Sequence, residues 1–137
     1  MPQEDFGLIS VIMAAYNAEK TIEQAVNSVL NQTYPNFELL VVNDHSTDRT
    51  MELVESIAAK DRRVHLISNS KNCGVSRTRR HGLDRAEGLW IAILDSDDLW
   101  APEKLEKQIN LQRKTNADLL FTGSAFIDAD GRPIDLY

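Results

Sequence analysis

Residues 8–30 read LISVIMAAYNAEKTIEQAVNSVL. The first eight are apolar except for Ser10, a run too short to cross a bilayer and of the length of a strand buried on both faces. The last nine change period: Ile22, Ala25, Val26, Val29 and Leu30 fall on one side of a helix. A buried strand passing through a short polar turn into an amphipathic helix is half of a strand-helix-strand unit. The fold is decided by whether that unit recurs.

It recurs three times. Further apolar runs stand at FELLVVN (37–43), VHLIS (64–68) and LWIAILD (89–95). Helical patterns lie between and after them: Met51, Val54, Ile57 and Ala58; Val75 to Ala86; and a stretch from Pro102, a residue suited to the first helical position, through Leu105 and Ile109. Continuous apolar strands with helical crossovers predict an α/β fold, a mostly parallel Rossmann-like sheet with helices on both faces. Residues 117–134, ADLLFTGSAFIDADGRPI, break the alternation into two short apolar runs with a turn expected at Asp130-Gly131, so the sheet is expected to be unfinished there.

Length and charge narrow the function. The chain has 137 residues, which suits one domain over 1–137, and 15 basic against 21 acidic residues leave a net charge of -6. That balance disfavours attraction to nucleic acid or to an anionic membrane. Cys73 is the only cysteine, which excludes a disulfide framework and a multi-cysteine zinc site. No stretch is long and apolar enough to span a membrane, and a cytoplasmic location is expected.

In an open parallel sheet, ligands bind beyond the carboxyl ends of the strands. Tyr16-Asn17 follow the first run, Asn43-Asp44-His45-Ser46 the second and Asp95-Ser96-Asp97-Asp98 the fourth. Asn17, and Ser46 or Thr47, have the chemistry of helix caps, and for Asn17 capping is the expectation. Tyr16 could pack at a rim or stack on a base, and Asp44 could shape a turn or bind a base or ribose. The three aspartates could be a solvated loop. Asp95 and Asp97, two apart at the mouth of a buried strand, also suit Mg²⁺ or Mn²⁺ on a diphosphate, which needs only one or two carboxylates. In the basic segment KNCGVSRTRRHGLDR (71–85), helical phase puts Val75, Arg79, Gly82, Leu83 and Ala86 inward and Arg77, Arg80 and Asp84 outward. Arg79 is then expected to pair with a carboxylate of the site or to approach phosphates. His45, His65 and His81 show no metal or triad spacing.

Taken in order, SVIMAAYN, VVNDHSTDRT, NCGVSRTRRHGL and LDSDDLWAPEKLEKQ resemble the motifs of the family 2 glycosyltransferases, which have the GT-A fold. The resemblance implies that Asp44 contacts the nucleoside of a nucleotide-sugar donor, bordered by Tyr16 and the Ala14-Ala15 backbone. It places Asp95 and Ser96 at the ribose and diphosphate, Asp97 on a Mn²⁺ or Mg²⁺ ion, and Arg79 on the family's arginine. Ala14 stands where proline is common, His45 where glycine is usual and Arg80 where asparagine is usual. The implied enzyme transfers a sugar, with UDP-sugars the family's commonest donors, to an acceptor hydroxyl in glycan or cell-surface polysaccharide synthesis, with inversion. In its full-length form it would work in the cytoplasm, peripheral to the inner membrane face. The resemblance also implies an acceptor-binding region and a general base beyond this chain, since Asp128, Asp130 and Asp135 sit in no base motif. Against a haloacid-dehalogenase phosphatase or a noncatalytic receiver module, the acidic pair follows the fourth strand rather than the first. Against a dinucleotide-binding oxidoreductase, no GxGxxG follows the first strand.

Overall fold

The four apolar runs are the four strands of one sheet. In the computed structural model, which describes residues 6–134, β1 (Ile9–Ala15), β2 (Phe37–Asn43), β3 (Val64–Ser68) and β4 (Trp90–Ile93) alternate with α1 (Ile22–Leu30), α2 (Thr50–Ala58), α3 (Val75–Leu83) and α4 (Lys104–Thr115). All neighbouring strands are parallel, in the order β3-β2-β1-β4. The chain steps outward from β1 through β2 to β3, then returns to add β4 on the other side of β1. That reversal opens a crevice at the carboxyl end of β1.

Period-two alternation sends each strand's residues to two different layers. Ile9, Val11, Met13 and Ala15 of β1, with Phe37, Leu39 and Val41 of β2, join the inner residues of α1 and α2 and Leu105 and Ile109 of α4 in one buried cluster. Each such side chain contributes about 1.5–3 kcal/mol on leaving water. The opposite face carries Ile12 of β1 and Leu40 and Val42 of β2, and α3 packs over these two strands.

Two polar residues inside the apolar runs are also on this second face. The Ser10 hydroxyl donates to the buried Glu38 carboxylate, which also accepts from Glu87 N at 2.8 Å. Gly88 N donates to Ser10 Oγ at 2.8 Å, so the pair fixes the turn that launches β4. A side chain at Gly88 would meet Ser10 N at 2.5 Å, which explains the glycine there.

Three expectations change in detail. α4 begins at Lys104, two residues after Pro102, because a turn from Ala101 O to Lys104 N (3.1 Å) precedes it; Gln32 then holds the helix start, donating to Ala101 O and accepting from Leu105 N. α3 ends at Leu83, and its inward residues are Thr78 and Gly82, whereas Val75 and Leu83 are exposed. The cause is close approach: a Cβ on Gly82 would lie 2.7 Å from Ile12 Cγ2 and 3.2 Å from Val42 Cγ2. Bulk is excluded from the contact, so apolar periodicity points to the wrong side.

In residues 117–134 the apolar runs form no strands among the described residues. An isolated antiparallel bridge joins Ile127 to Pro133 around the expected Asp130-Gly131 turn, with Gly131 at φ +79°. Asp128 Oδ1 accepts from Asp130 N and Arg132 N in that turn. Ile91 and Ile93 on the second face of β4, and Leu119, Phe121 and Phe126, are exposed.

Candidate functional site

The crevice is built first by joining two loops. Asn17, in the left-handed region at φ +49°, accepts from Thr47 N at 2.8 Å and from the Thr47 hydroxyl at 3.3 Å, and its own amide donates to Ser46 Oγ at 3.0 Å. Ala18 N donates to Thr50 Oγ1 at 2.8 Å, Glu19 N to Asp48 Oδ2 at 3.1 Å, and Arg49 N to Glu19 Oε2 at 3.1 Å. Asp48 also accepts from the Thr50 amide and hydroxyl. Burial raises the Asp48 pKa, but the Thr50 and Glu19 donors outweigh it, so the carboxyl lies below its ordinary value.

The capping expectation is thereby corrected. The N-cap of α1 is Thr21 and that of α2 is Arg49, neither with a side-chain cap bond. A turn at residues 18–21 separates Asn17 from its helix, so its carbonyl oxygen reaches the neighbouring loop instead.

Asp44, at the end of β2, is buried and organises a third loop. Its Oδ1 accepts from Asn69 Nδ2 and Cys73 N, both at 2.8 Å, and its Oδ2 from Gly74 N at 2.9 Å. Burial raises its pKa, yet hydrogen bonds from Asn69, Cys73, Thr78 and Gly74 together hold the carboxyl below its usual value. Gly74 adopts φ +79° and ψ 160°, a region essentially closed to other residues, and this turns its amide onto Asp44 at the start of α3. Cys73 acts here through its backbone amide.

The fourth loop follows β4. Arg79, on the flank of α3, donates from Nη2 to Asp95 Oδ1, so the arginine does pair with an acid of this loop. Its Nε is buried and has no hydrogen-bond partner among the described residues. Arg80 instead pairs outward with Asp84, and Arg77 is exposed. Burial, then repulsion from Asp97 and Asp95, raises the Asp98 pKa.

These loops enclose an open cleft of about 510 Å³, within the ordinary size range of small-ligand sites. Ala14, Ala15, Tyr16 and Asn17 line it from β1, Asp44 from β2, Asn72, Gly74, Val75 and Thr78 from the third loop and α3, and Asp95, Ser96 and Asp97 from β4. Of the residues singled out from the sequence, Arg79 reaches this cleft only through Asp95, and Ser46, Thr47 and Asp98 are not part of its lining. Tyr16 lies at the rim and is 52% exposed.

Among the described residues, no three His, Cys, Asp or Glu side chains converge as a metal cage. A hard cation shared with phosphates does not need one: Mg²⁺ binds through one or two carboxylates plus phosphate oxygens and water. The oxygen-only donor set of Asp95 and Asp97, with the charge crowding felt at Asp98, fits that mode. Asp128 is engaged in its own turn, and Asp135, the third acid considered as a base, lies outside the described residues.

Sequence reasoning missed Asn69 and Thr78, which surround Asp44, and Asp48 and Thr50, which join the loops. For Asn69 a signal existed: it is the polar residue directly after β3, as Asp44 is directly after β2.

No helix among the described residues is long and apolar enough to cross a membrane. Residues 10–136 match the family model described as Glycosyl transferase family 2. A putative teichuronic acid biosynthesis glycosyltransferase, TuaG of Bacillus subtilis (strain 168), is 39% identical over 130 residues, which are 95% of this chain and 52% of the relative. The chain thus spans about half the length of that relative. Among solved structures, S. aureus TarS 1-349 in complex with UDP superposes with a TM-score of 0.75 and 34% identity, over 80% of this chain and 33% of that one. The mannosyltransferase PcManGT from Pyrobaculum calidifontis, in complex with GDP-Man and Mn²⁺, gives a TM-score of 0.73 and 27% identity, over 77% of this chain and 32% of that one.

Proposed function

The chain belongs to glycosyl transferase family 2, and we propose that it is the donor-binding part of an enzyme that transfers a sugar, with inversion, from a nucleoside diphosphate, UDP before others, to an acceptor hydroxyl of a growing glycan. The observation that carries this reading is the convergence of four loops on one cleft at the sheet's switch point, with a buried acid at one end and an acidic loop at the other. A GT-A domain over residues 1–137 then supplies the nucleotide site, while acceptor binding and the general base belong to further polypeptide. The single cysteine suits a cytoplasmic setting, and a place at the membrane's inner face would belong to the complete enzyme, since the acidic charge of this chain gives no attraction to an anionic membrane.

Each residue takes a role from its place. Asp44 lines the cleft as an acceptor-only carboxylate and would accept an N–H of the base beside its donors from the 72–74 loop. Tyr16 covers the base, and the Ala14-Ala15 backbone borders it. Asp95, held by Arg79, and Ser96 meet the ribose and diphosphate. Asp97 holds Mn²⁺ or Mg²⁺, a Lewis acid that offsets charge growing on the departing diphosphate. The chain's own work is to hold the donor with its sugar facing the acceptor side; removing the acceptor proton is left to a base outside it.

Calorimetric titration with nucleoside diphosphates and their sugars, in Mn²⁺ and in chelator, tests the reading. UDP is expected to bind, and more tightly with metal. Failure of every nucleoside diphosphate to bind would contradict it.

A further inference from the structure

His81 has none of the spacing of a metal ligand or catalytic triad, yet its contacts lead into the cleft. It sits on the exposed side of α3, and its Nδ1 lies 2.7 Å from Asn69 Oδ1. Asn69 is buried, donates from Nδ2 to Asp44 Oδ1 at 2.8 Å and to Thr78 Oγ1 at 3.1 Å, and anchors its own backbone amide on Asn43 O at 2.9 Å.

The direction of this chain follows from donor and acceptor chemistry. An ionised Asp44 only accepts, so the Asn69 atom facing it is the amide nitrogen. Asn69 therefore presents its oxygen to His81, and the imidazole must carry a proton on Nδ1. The neutral Nδ1–H form and the imidazolium both satisfy that demand, so the polarity holds in either charge state. Without a donor at position 81, nothing outside the buried cluster would bias the Asn69 amide toward this orientation. Turned over, it would set an oxygen against the carboxylate.

We propose that His81 is a positioning residue for the nucleoside end of the cleft, fixing through Asn69 the orientation of the Asp44 carboxylate and of the 72–74 loop bound to it. Thr78 and His81, three apart on α3, hold Asn69 from the same helix, so the helix sets the acid that meets the base. This rests on the reading of the cleft as a nucleoside diphosphate site.

The test compares the wild-type chain, His81→Ala and His81→Asn, whose amide nitrogen stands close to the place of Nδ1, against UDP and inorganic pyrophosphate in Mg²⁺. His81→Ala is expected to weaken UDP binding about fivefold, the order of one hydrogen bond, and to leave pyrophosphate unchanged; His81→Asn should restore UDP. Equal loss for both ligands, no loss for UDP, or no rescue by asparagine would overturn the proposal. Nitrogen NMR of the ligand-free chain separates this from failure of the donor reading. The His81 imidazole should be protonated on Nδ1, and the Cys73 and Gly74 amide resonances should shift in His81→Ala and return in His81→Asn. A neutral ring protonated on Nε2, or unmoved amides, overturns the positioning claim even if UDP binds. The expected resonances without any UDP binding would contradict the donor reading, and the nucleoside role with it, while the link from His81 to Asp44 stood.

Discussion

His45 adopts φ +61°, in the left-handed region that favours glycine. A side chain in that conformation costs about 1–2 kcal/mol, part of which glycine gives back through its freer unfolded chain. His45→Gly is therefore expected to stabilise the chain by up to about 1 kcal/mol, read as a rise in the unfolding midpoint; a lower midpoint would show that the imidazole makes a compensating contact. Asp44 gives a pH-dependent counterpart. Its folded pKa lies below the ordinary 3.8, because hydrogen bonds outweigh the opposing effect of burial. A depressed carboxyl stabilises the fold above its unfolded pKa, and that contribution is lost as pH falls through the folded value. Asp44→Asn should lose stability at neutral pH, and its deficit against wild type should narrow as pH drops below 3.8. A deficit constant with pH in denaturant titrations would mean that charge at Asp44 is not what the 72–74 loop responds to. Contacts of this kind were only half legible in the sequence. That Asp44 mattered could be read from its place after a buried strand, but its partners Asn69, Cys73 and Gly74 lie 25 to 30 residues away, and no local pattern pairs them. Asn17 was read as a cap for the same reason: its actual partner, Thr47, is 30 residues distant.

Among the elements, the strands were the most legible. β2 and β3 coincide with their apolar runs, and β1 and β4 lie within theirs; the central β1 and β2 are buried on both faces, which leaves a continuous apolar signature, whereas the edge strands β3 and β4 are only partly buried. α1 was equally clear, with Ile22, Ala25, Val26 and Val29 all buried. α3 was misphased, and the reason is instructive. Its inner face is Gly82, which close approach to Ile12 and Val42 keeps without a side chain, and the buried Thr78, while its apolar residues Val75 and Leu83 are exposed. Gly82→Ala should therefore destabilise the chain despite alanine's advantage in a helix of about 1 kcal/mol. Forcing a methyl against the fully buried Ile12 costs typically about 1–3 kcal/mol, so a net loss of up to about 2 kcal/mol is expected by thermal or denaturant unfolding. A stabilised Gly82→Ala would mean that α3 has room to lift from the sheet.

At the scale of the molecule, the order β3-β2-β1-β4 determines where chemistry is possible. Only at the switch beside β1 do the loops after β1, β2 and β4 meet, and hydrogen bonds among them and with α3 hold the cleft's walls. The sheet alone would serve many functions; the proposed one rests on the acids at its carboxyl edge. The central claim is that the loop after β4 binds a diphosphate through a divalent cation held by Asp97. It is tested most directly by titrating UDP into the wild-type chain and into Asp97→Asn, each in Mn²⁺ and in chelator. Mn²⁺ is expected to tighten binding to wild type by about tenfold or more, equivalent to about 1.4 kcal/mol, and to give Asp97→Asn little or none of that gain while both bind alike in chelator. A metal-dependent gain of the same size in both chains, or none in wild type, would contradict it.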